Sequence, residues 1–435
     1  MDMMLTTSTL GREPGCIVMN IGAVMFDPSG RDAGAARLTE NQFYTPVSAL
    51  DSSRLGLRTS DDTLHWWRQQ PAWPTVGEEF MTSNVAVAEA CERFAEFYRR
   101  HKPGKVWAKS PTFHSSILRH LFALSGIEYP VEDFRDEACF RTVMDLTYGQ
   151  RERHPTTVNV PGYLPHRTVG DAIRQSDELV VAVNRDRAAA PLVDLRDQRW
   201  LMLDIKTLGR TRGSGILSIG ATMFNAANDP SLLEQPSNQF YSVISSFDLA
   251  NHGFATEPET LRFWNSQPIW PELAVATMNS PVMVKRACQD FAGFLERMRP
   301  DKVWANSPTF DLELLRFTFR KMGVHLDIPY ANECDFRTVM DLAYPQRDER
   351  PRRMLQSELK HHALGDSIEQ ALQTTHALKS LGLVVQSKPS PLARGARKEA
   401  ATSMRVNLAR AAIAAADIGG GESKVALRKS GGRPS

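Results

Sequence analysis

The chain is poor in cysteine for its length: five in 435 residues. Cys16, Cys91, Cys139, Cys288 and Cys334 form no C-x-x-C step and no metal-ligand spacing. Neither a disulfide framework nor a zinc module is therefore expected, and a reduced, cytoplasmic chain is the simplest reading. No apolar run approaches the ~20 residues that a membrane-spanning helix needs. The first residues pass almost at once into a strand-like segment, which leaves no room for a secretory leader. Net charge is also small, +2 at neutral pH. It is unevenly spread, however. From Lys388 to Arg433 there are ten Lys/Arg and three Asp/Glu, a balance of +7, so the remainder stands near −5 (2 minus 7).

What the sequence does contain is a copy of itself. MMLTTSTLGR (3–12) matches LMLDIKTLGR (201–210), and IGAVMFD (21–27) matches IGATMFN (219–225). NQFY recurs at 41 and 238, FRTVMDL at 140 and 336, and VWAKSPTFH (from 106) returns as VWANSPTFD (from 303). The offset stays at 196–198. A repeat of this length predicts two units of one fold. The units are expected over 1–190 and 198–386, with a boundary near 187–197 and a basic extension over 387–435. In that extension Ala396, Ala400, Met404, Leu408, Ala411 and Ala415 share one helical face. The tail has two readings: contact with nucleic acid or a partner, and a solvated tail with no specific role.

In the second copy, 201–207 and 216–224 read as adjacent strands around a glycine-containing hairpin, and 238–244 as a third strand. Helices are predicted from about Pro258 to Gln267 and from about Val282 to Met298. KVWANS (302–307) reads as a buried strand feeding a helix from Thr309, and a last helix begins near Ala363. Hairpin-ordered strands followed by strand–helix alternation predict an α/β domain with a mixed sheet.

Chemistry is expected where acids stand at element ends. Asp204 lies in the first strand, Asp311 opens the helix after the fourth, and His361 and Asp366 form H-x4-D at the last helix. Carboxylates that converge can hold divalent ions through oxygen. Two such ions stabilise the attacking and leaving oxygens of phosphodiester hydrolysis, and a histidine can deprotonate the water.

The ordered set DIKTLG, IGA-x-MF, TLRFW-x-x-Q, VWA-x-SPTFD-x-x-LL, FRTVMDL and HHALGDSIEQA resembles the DEDD 3′–5′ exonucleases with a catalytic histidine. Within them it is similar to the phage exonuclease A group and its mycobacterial exoribonuclease relatives. The likeness covers about 200–380 well and about 3–180 more weakly. It implies two tandem RNase H-like domains with mixed central sheets and flanking helices. It also implies Asp204, Asp311 and Asp366 as metal ligands, and His361 and Asp366 as catalytic residues. Mg²⁺ or Mn²⁺ is the implied cofactor of an active site; an inactive one needs none. Thr207 and Leu208 would lie beside the 3′-terminal nucleotide. Arg337, like Arg141, has two readings: a phosphate contact, or an internal contact near a helix start.

One position departs from the pattern. Lys206 stands where the family carries a metal-ligand glutamate, a change of two charge units. At roughly 4 Å and an effective dielectric near 20, each unit-charge pair is worth about 4 kcal/mol. Lys206 therefore opposes metal binding, and its ammonium can act as a counter-ion to the three aspartates. Glu369, one turn after Asp366, is a candidate replacement ligand, with an exposed helix residue as the expected alternative. In the first copy the aligned positions are Thr6, Ser8 and His114; only His166 and Asp171 remain. His114 reads as a lone surface histidine, and Asp171 as a helix cap. Trp67, Trp107, Trp264 and Trp304 read as core residues rather than base-stacking platforms.

The implied partner is a DNA or RNA 3′ end, in the manner of a 3′–5′ exonuclease, with a pseudo-dimer formed inside one chain and no membrane. The alternative is a pseudo-nuclease that binds a protein or a nucleic acid as a regulator.

Overall fold

The computed structural model describes residues 1–149, 164–185, 195, 198–227, 232–233, 235–353, 355 and 360–383. The basic extension, its amphipathic helix and most of the 187–197 junction lie outside the described residues.

Two five-stranded mixed sheets carry the fold. The first contains β1 (Asp2–Thr9), β2 (Val18–Phe26), β3 (Gln42–Pro46), β4 (Val106–Ala108) and β5 (Glu137–Cys139), in the order β3-β2-β1-β4-β5. The second contains β6 (Trp200–Thr207), β7 (Ile216–Phe224), β8 (Gln239–Val243), β9 (Lys302–Ala305) and β10 (Glu333–Asp335), in the order β10-β9-β6-β7-β8. In each sheet the first three strands are antiparallel and the last two run parallel to the first. This is the α/β, mixed-sheet architecture that the repeat and the strand pattern predict.

Both faces of β6 are covered, so all eight of its residues are buried. Side chains alternate across a strand. Leu201, Leu203 and Ile205 join the core beneath the helices Val284–Met298 and Pro308–Met322. Trp200 and Met202 belong to the opposite core, capped by the last helix, Ala363–Ser380. Asp204 and Lys206 share that second face by the same alternation, and therefore point at the last helix.

The last helix sits directly on β7. A Cβ built at Gly220 would lie 2.1 Å from the Leu364 nitrogen and 2.2 Å from the Ala363 carbonyl carbon. Only glycine permits that approach of backbone to backbone. Trp264 donates its indole N–H to the Thr207 carbonyl at 2.8 Å, and Trp67 repeats the bond to Thr9 at 2.8 Å. Trp67, Trp107, Trp264 and Trp304 are all buried, as their apolar contexts predict.

The two copies touch through reciprocal pairs. The Cys139 N–H donates to Thr338 Oγ1 at 2.9 Å, and the Asp335 N–H donates to Thr142 Oγ1 at 2.9 Å. Lys105 pairs with Asp341 at 2.8 Å, and Lys302 pairs with Asp145. Phe134 stacks on Phe310 with centroids 5.5 Å apart, while Phe113 meets Tyr330 edge-on at 5.7 Å. Each contact is matched by one between the equivalent residues of the other copy.

Candidate active site

The ends of β6 and the last helix build the site together. Residues two apart on a strand are about 6.6 Å apart, and residues four apart on a helix rise about 6 Å. The pair Asp204 and Lys206 therefore meets the pair Gln370 and Asp366 rung by rung. Lys206 Nζ donates to Asp366 Oδ2 at 2.7 Å, and Gln370 Nε2 donates to Asp204 Oδ1 at 2.9 Å. Lys206 Nζ also lies 2.7 Å from Asp204 Oδ2, so one ammonium bridges both carboxylates. The β6–β7 register shifts between Lys206 and Thr207, a bulge that ends the ladder next to the site.

Asp366 is held from four directions. Besides Lys206, it accepts from Arg353 NH1 at 2.9 Å and from the His361 backbone N–H at 3.0 Å, and its own N–H donates to the His362 carbonyl at 2.7 Å. Burial opposes its charge, but Lys206 and Arg353 outweigh burial and hold the carboxyl below its ordinary range. Burial likewise opposes the Lys206 charge, and Asp204 and Asp366 outweigh it, so the ammonium stays protonated. Asp204 is lifted to about 6, by burial first and by Asp366, with Lys206 opposing. Asp311, 3 % exposed, accepts from the Ser307 N–H at 3.3 Å. Burial and the charge of Asp204 lift it to about 8. Lys206 thus joins Asp204 to Asp366, and Asp311 is near enough to feel the charge of Asp204.

His361 takes a left-handed backbone (φ 65°), and so does its counterpart His166 (φ 71°). That region is uncommon for any residue but glycine and is tolerated where surroundings over-determine it. The His361 ring meets Phe263 edge-on at 5.4 Å, and His166 meets Trp66 in the same way at 4.9 Å. Burial, followed by the charge of Lys206, lowers the His361 pKa. His362 caps the last helix by accepting the Gly365 N–H at Nδ1, 3.1 Å.

Several expected contacts take a different form. Glu369 is buried, not exposed: it accepts from the Leu355 N–H at 2.8 Å and from Gln373 at 2.9 Å. It anchors the segment that delivers Arg353. His114 is not a surface histidine; its ring is partly buried and bonds the Thr7 hydroxyl at 2.9 Å. The N-cap of the helix Thr168–Val183 is Arg167, and Asp171 stands in its first turn rather than capping it. Thr207 Oγ1 donates to the Gly209 carbonyl at 2.7 Å, and Leu208 packs against the core. Arg337 donates to Ser307 Oγ at 3.3 Å and to Asn306 Oδ1 at 3.2 Å, beside the Asp311 helix. Arg353 and Gln370 are site residues that sequence reasoning missed. The signal for Arg353 is an arginine-rich run, RPRR at 350–353, shortly before the last acid.

A divalent ion held by Asp204, Asp311 and Asp366 needs their oxygens free to coordinate. The ammonium takes one oxygen of Asp204 and one of Asp366, the Gln370 amide the other of Asp204 and the Arg353 guanidinium the other of Asp366. Among the described residues, no three His, Cys, Asp or Glu side chains are grouped to hold a metal ion. The residues present do not fit the ion.

A family model described as 3′-5′ exoribonuclease Rv2179c-like domain matches the chain twice, over residues 1–182 and 199–378. The chain belongs to that family. The two matches fall on the two sheets described above, so both copies are exoribonuclease-type domains. No curated protein matches the chain. No described helix is long and apolar enough to cross a membrane.

Proposed function

We propose that this protein engages nucleic acid 3′ ends through its second copy without cutting them: a pseudo-nuclease built on the DEDD exonuclease plan. The observation that carries this reading is Lys206 Nζ, 2.7 Å from both Asp204 and Asp366. A buried ammonium bridging two ligand carboxylates supplies internally the positive charge that a metal ion would bring. Arg353 adds a second cation on the remaining oxygen of Asp366. Thr207, Leu208 and Arg337 are the candidate end-binding residues of this reading, and His361 keeps the place of a general base with no ion to supply a nucleophile. The first copy, without its acids, serves as the matching half of a pseudo-dimer. RNA is the favoured partner because the family is one of exoribonucleases.

The test uses 5′-labelled single-stranded RNA with Mg²⁺ or Mn²⁺. Wild type is expected to bind it and leave its length unchanged, and to gain little thermal stability from either ion. Lys206→Glu should gain metal-dependent shortening from the 3′ end and a clear metal-induced rise in Tm. Shortening by wild type that disappears in Asp311→Ala would overturn the reading.

A further inference from the structure

Phe134, from the first copy, reaches the rim of the second copy's site. Its ring stacks on Phe310, the neighbour of Asp311 in the chain, at an interplanar angle of 21°. Three guanidinium groups surround that one ring: Arg210 at 5.1 Å, Arg337 at 5.6 Å and Arg135 at 5.9 Å from its centroid. Arg135 belongs to the first copy; the other two belong to the second. Those two lie close to the acidic residues. Arg210 follows the end of β6, three residues after Thr207, and Arg337 bonds Ser307, whose N–H binds Asp311.

Like charges gathered this closely need a counter-charge. Among the described residues Arg210 and Arg337 make no ion pair, and Arg135 has only Asp133 at 3.6 Å. The nearby carboxylates are engaged. Asp335 accepts from the Arg337 backbone N–H at 2.9 Å and from the Thr338 hydroxyl at 2.6 Å, and Asp341 pairs with Lys105 and Arg350. Burial first, and then the neighbouring charge of Arg135, hold the Arg337 guanidinium below its ordinary value against the opposing charges of Asp335 and Asp341. The opposite side of the junction lacks this arrangement. There Tyr330 replaces Phe134, Ala331 replaces Arg135, and the arginine over the ring, Arg316, is paired with Glu333.

We propose that Arg135, Arg210 and Arg337, set around Phe134 at the junction of the copies, bind the phosphodiester backbone of single-stranded RNA whose 3′ end lies at the acidic pocket. The inference rests on the end-binding reading above. Planar guanidinium groups suit phosphate oxygens. The first copy thereby contributes directly to binding.

The experiment measures anisotropy of 5′-labelled single-stranded RNA with the full chain, without divalent ions, over a salt series. Arg135→Gln, Arg210→Gln and the double variant are compared with wild type. The control is Arg12→Gln, at the exposed counterpart of Arg210 in the first copy. Each lost contact should make the slope of log affinity against log salt shallower by about 0.7, and the pair by about 1.4. Arg12→Gln should match wild type. Salt-dependent binding unchanged in the double variant, or an equal loss in Arg12→Gln, would overturn the arginine site and leave end binding standing. No binding by wild type would overturn both.

Discussion

At the residue scale the site is a matter of charge count. Two cations, Lys206 and Arg353, pair with two of the three acids, Asp204 and Asp366. Among the described residues the third acid, Asp311, has no ion-pair partner, and burial and the charge of Asp204 lift it to about 8. The unfolded group ionises near 3.8. Between those values the native state binds more protons than the unfolded one, so stability is lost as pH rises through the window. Asp311→Asn removes this contribution. Urea denaturation at several pH values should show the variant gaining on wild type from about pH 4 to about pH 8, then a constant difference. A difference independent of pH would mean that native Asp311 is ionised throughout. Much of this pocket was legible in the sequence. Period-two alternation puts Lys206 beside Asp204, and H-x4-D puts Asp366 at a helix start. Arg353 was not legible, because it lies in the irregular segment between the helices Phe336–Ala343 and Ala363–Ser380, where no periodicity fixes a direction. Glu369 was misread as exposed because its partner, the Leu355 backbone N–H, leaves no mark in the sequence.

At the element scale the pocket depends on how closely the last helix lies against β7. Gly220→Ala would drive a methyl carbon into the backbone at Ala363 and Leu364. The helix must lift, and the pairing of Lys206 with Asp366 and of Gln370 with Asp204 must shift with it. Overpacking of this kind typically costs about 1–3 kcal/mol, and a clash with backbone belongs at the upper end. Denaturant titration should show that loss; a change within error would mean that the helix docks less tightly. The long elements here follow from periodicity and punctuation, and the expected Pro258 and Ala363 starts coincide with the observed ones. Several elements of the second copy were not anticipated, among them the helices Ser246–Asn251, Trp270–Asn279 and Phe336–Ala343. β5 and β10 have three residues each, too few to display alternation. The helix Trp270–Asn279 carries Trp270, Leu273, Val275 and Met278 on more than one face, so it lacks a clear apolar stripe.

At the scale of the whole molecule, the junction is held by bonds that occur in twos. Thr142 and Thr338 each accept a buried backbone N–H from the other copy. Thr142→Val leaves the Asp335 N–H without its acceptor, at a cost of about 1–3 kcal/mol. Thr338→Val should cost the same at Cys139 and also release Asp335 from its hydroxyl donor. Equilibrium unfolding of both single variants and of the pair checks this. Losses below about 0.5 kcal/mol would mean that water replaces the hydroxyl at the junction. The repeat made two units legible. It could not reveal that equivalent residues face each other, because an offset of 196–198 fixes correspondence and not contact.

The covalent joining of the halves has a further consequence. In an assembly of identical subunits every substitution is imposed on both sides at once, so neither side can specialise. Here one gene carries two independently editable versions of a single surface. Arginine can stand at 135 while alanine stands at 331, and a lysine can enter one pocket while a serine fills the other. Division of labour between the halves is open to this polypeptide and closed to any symmetric pair.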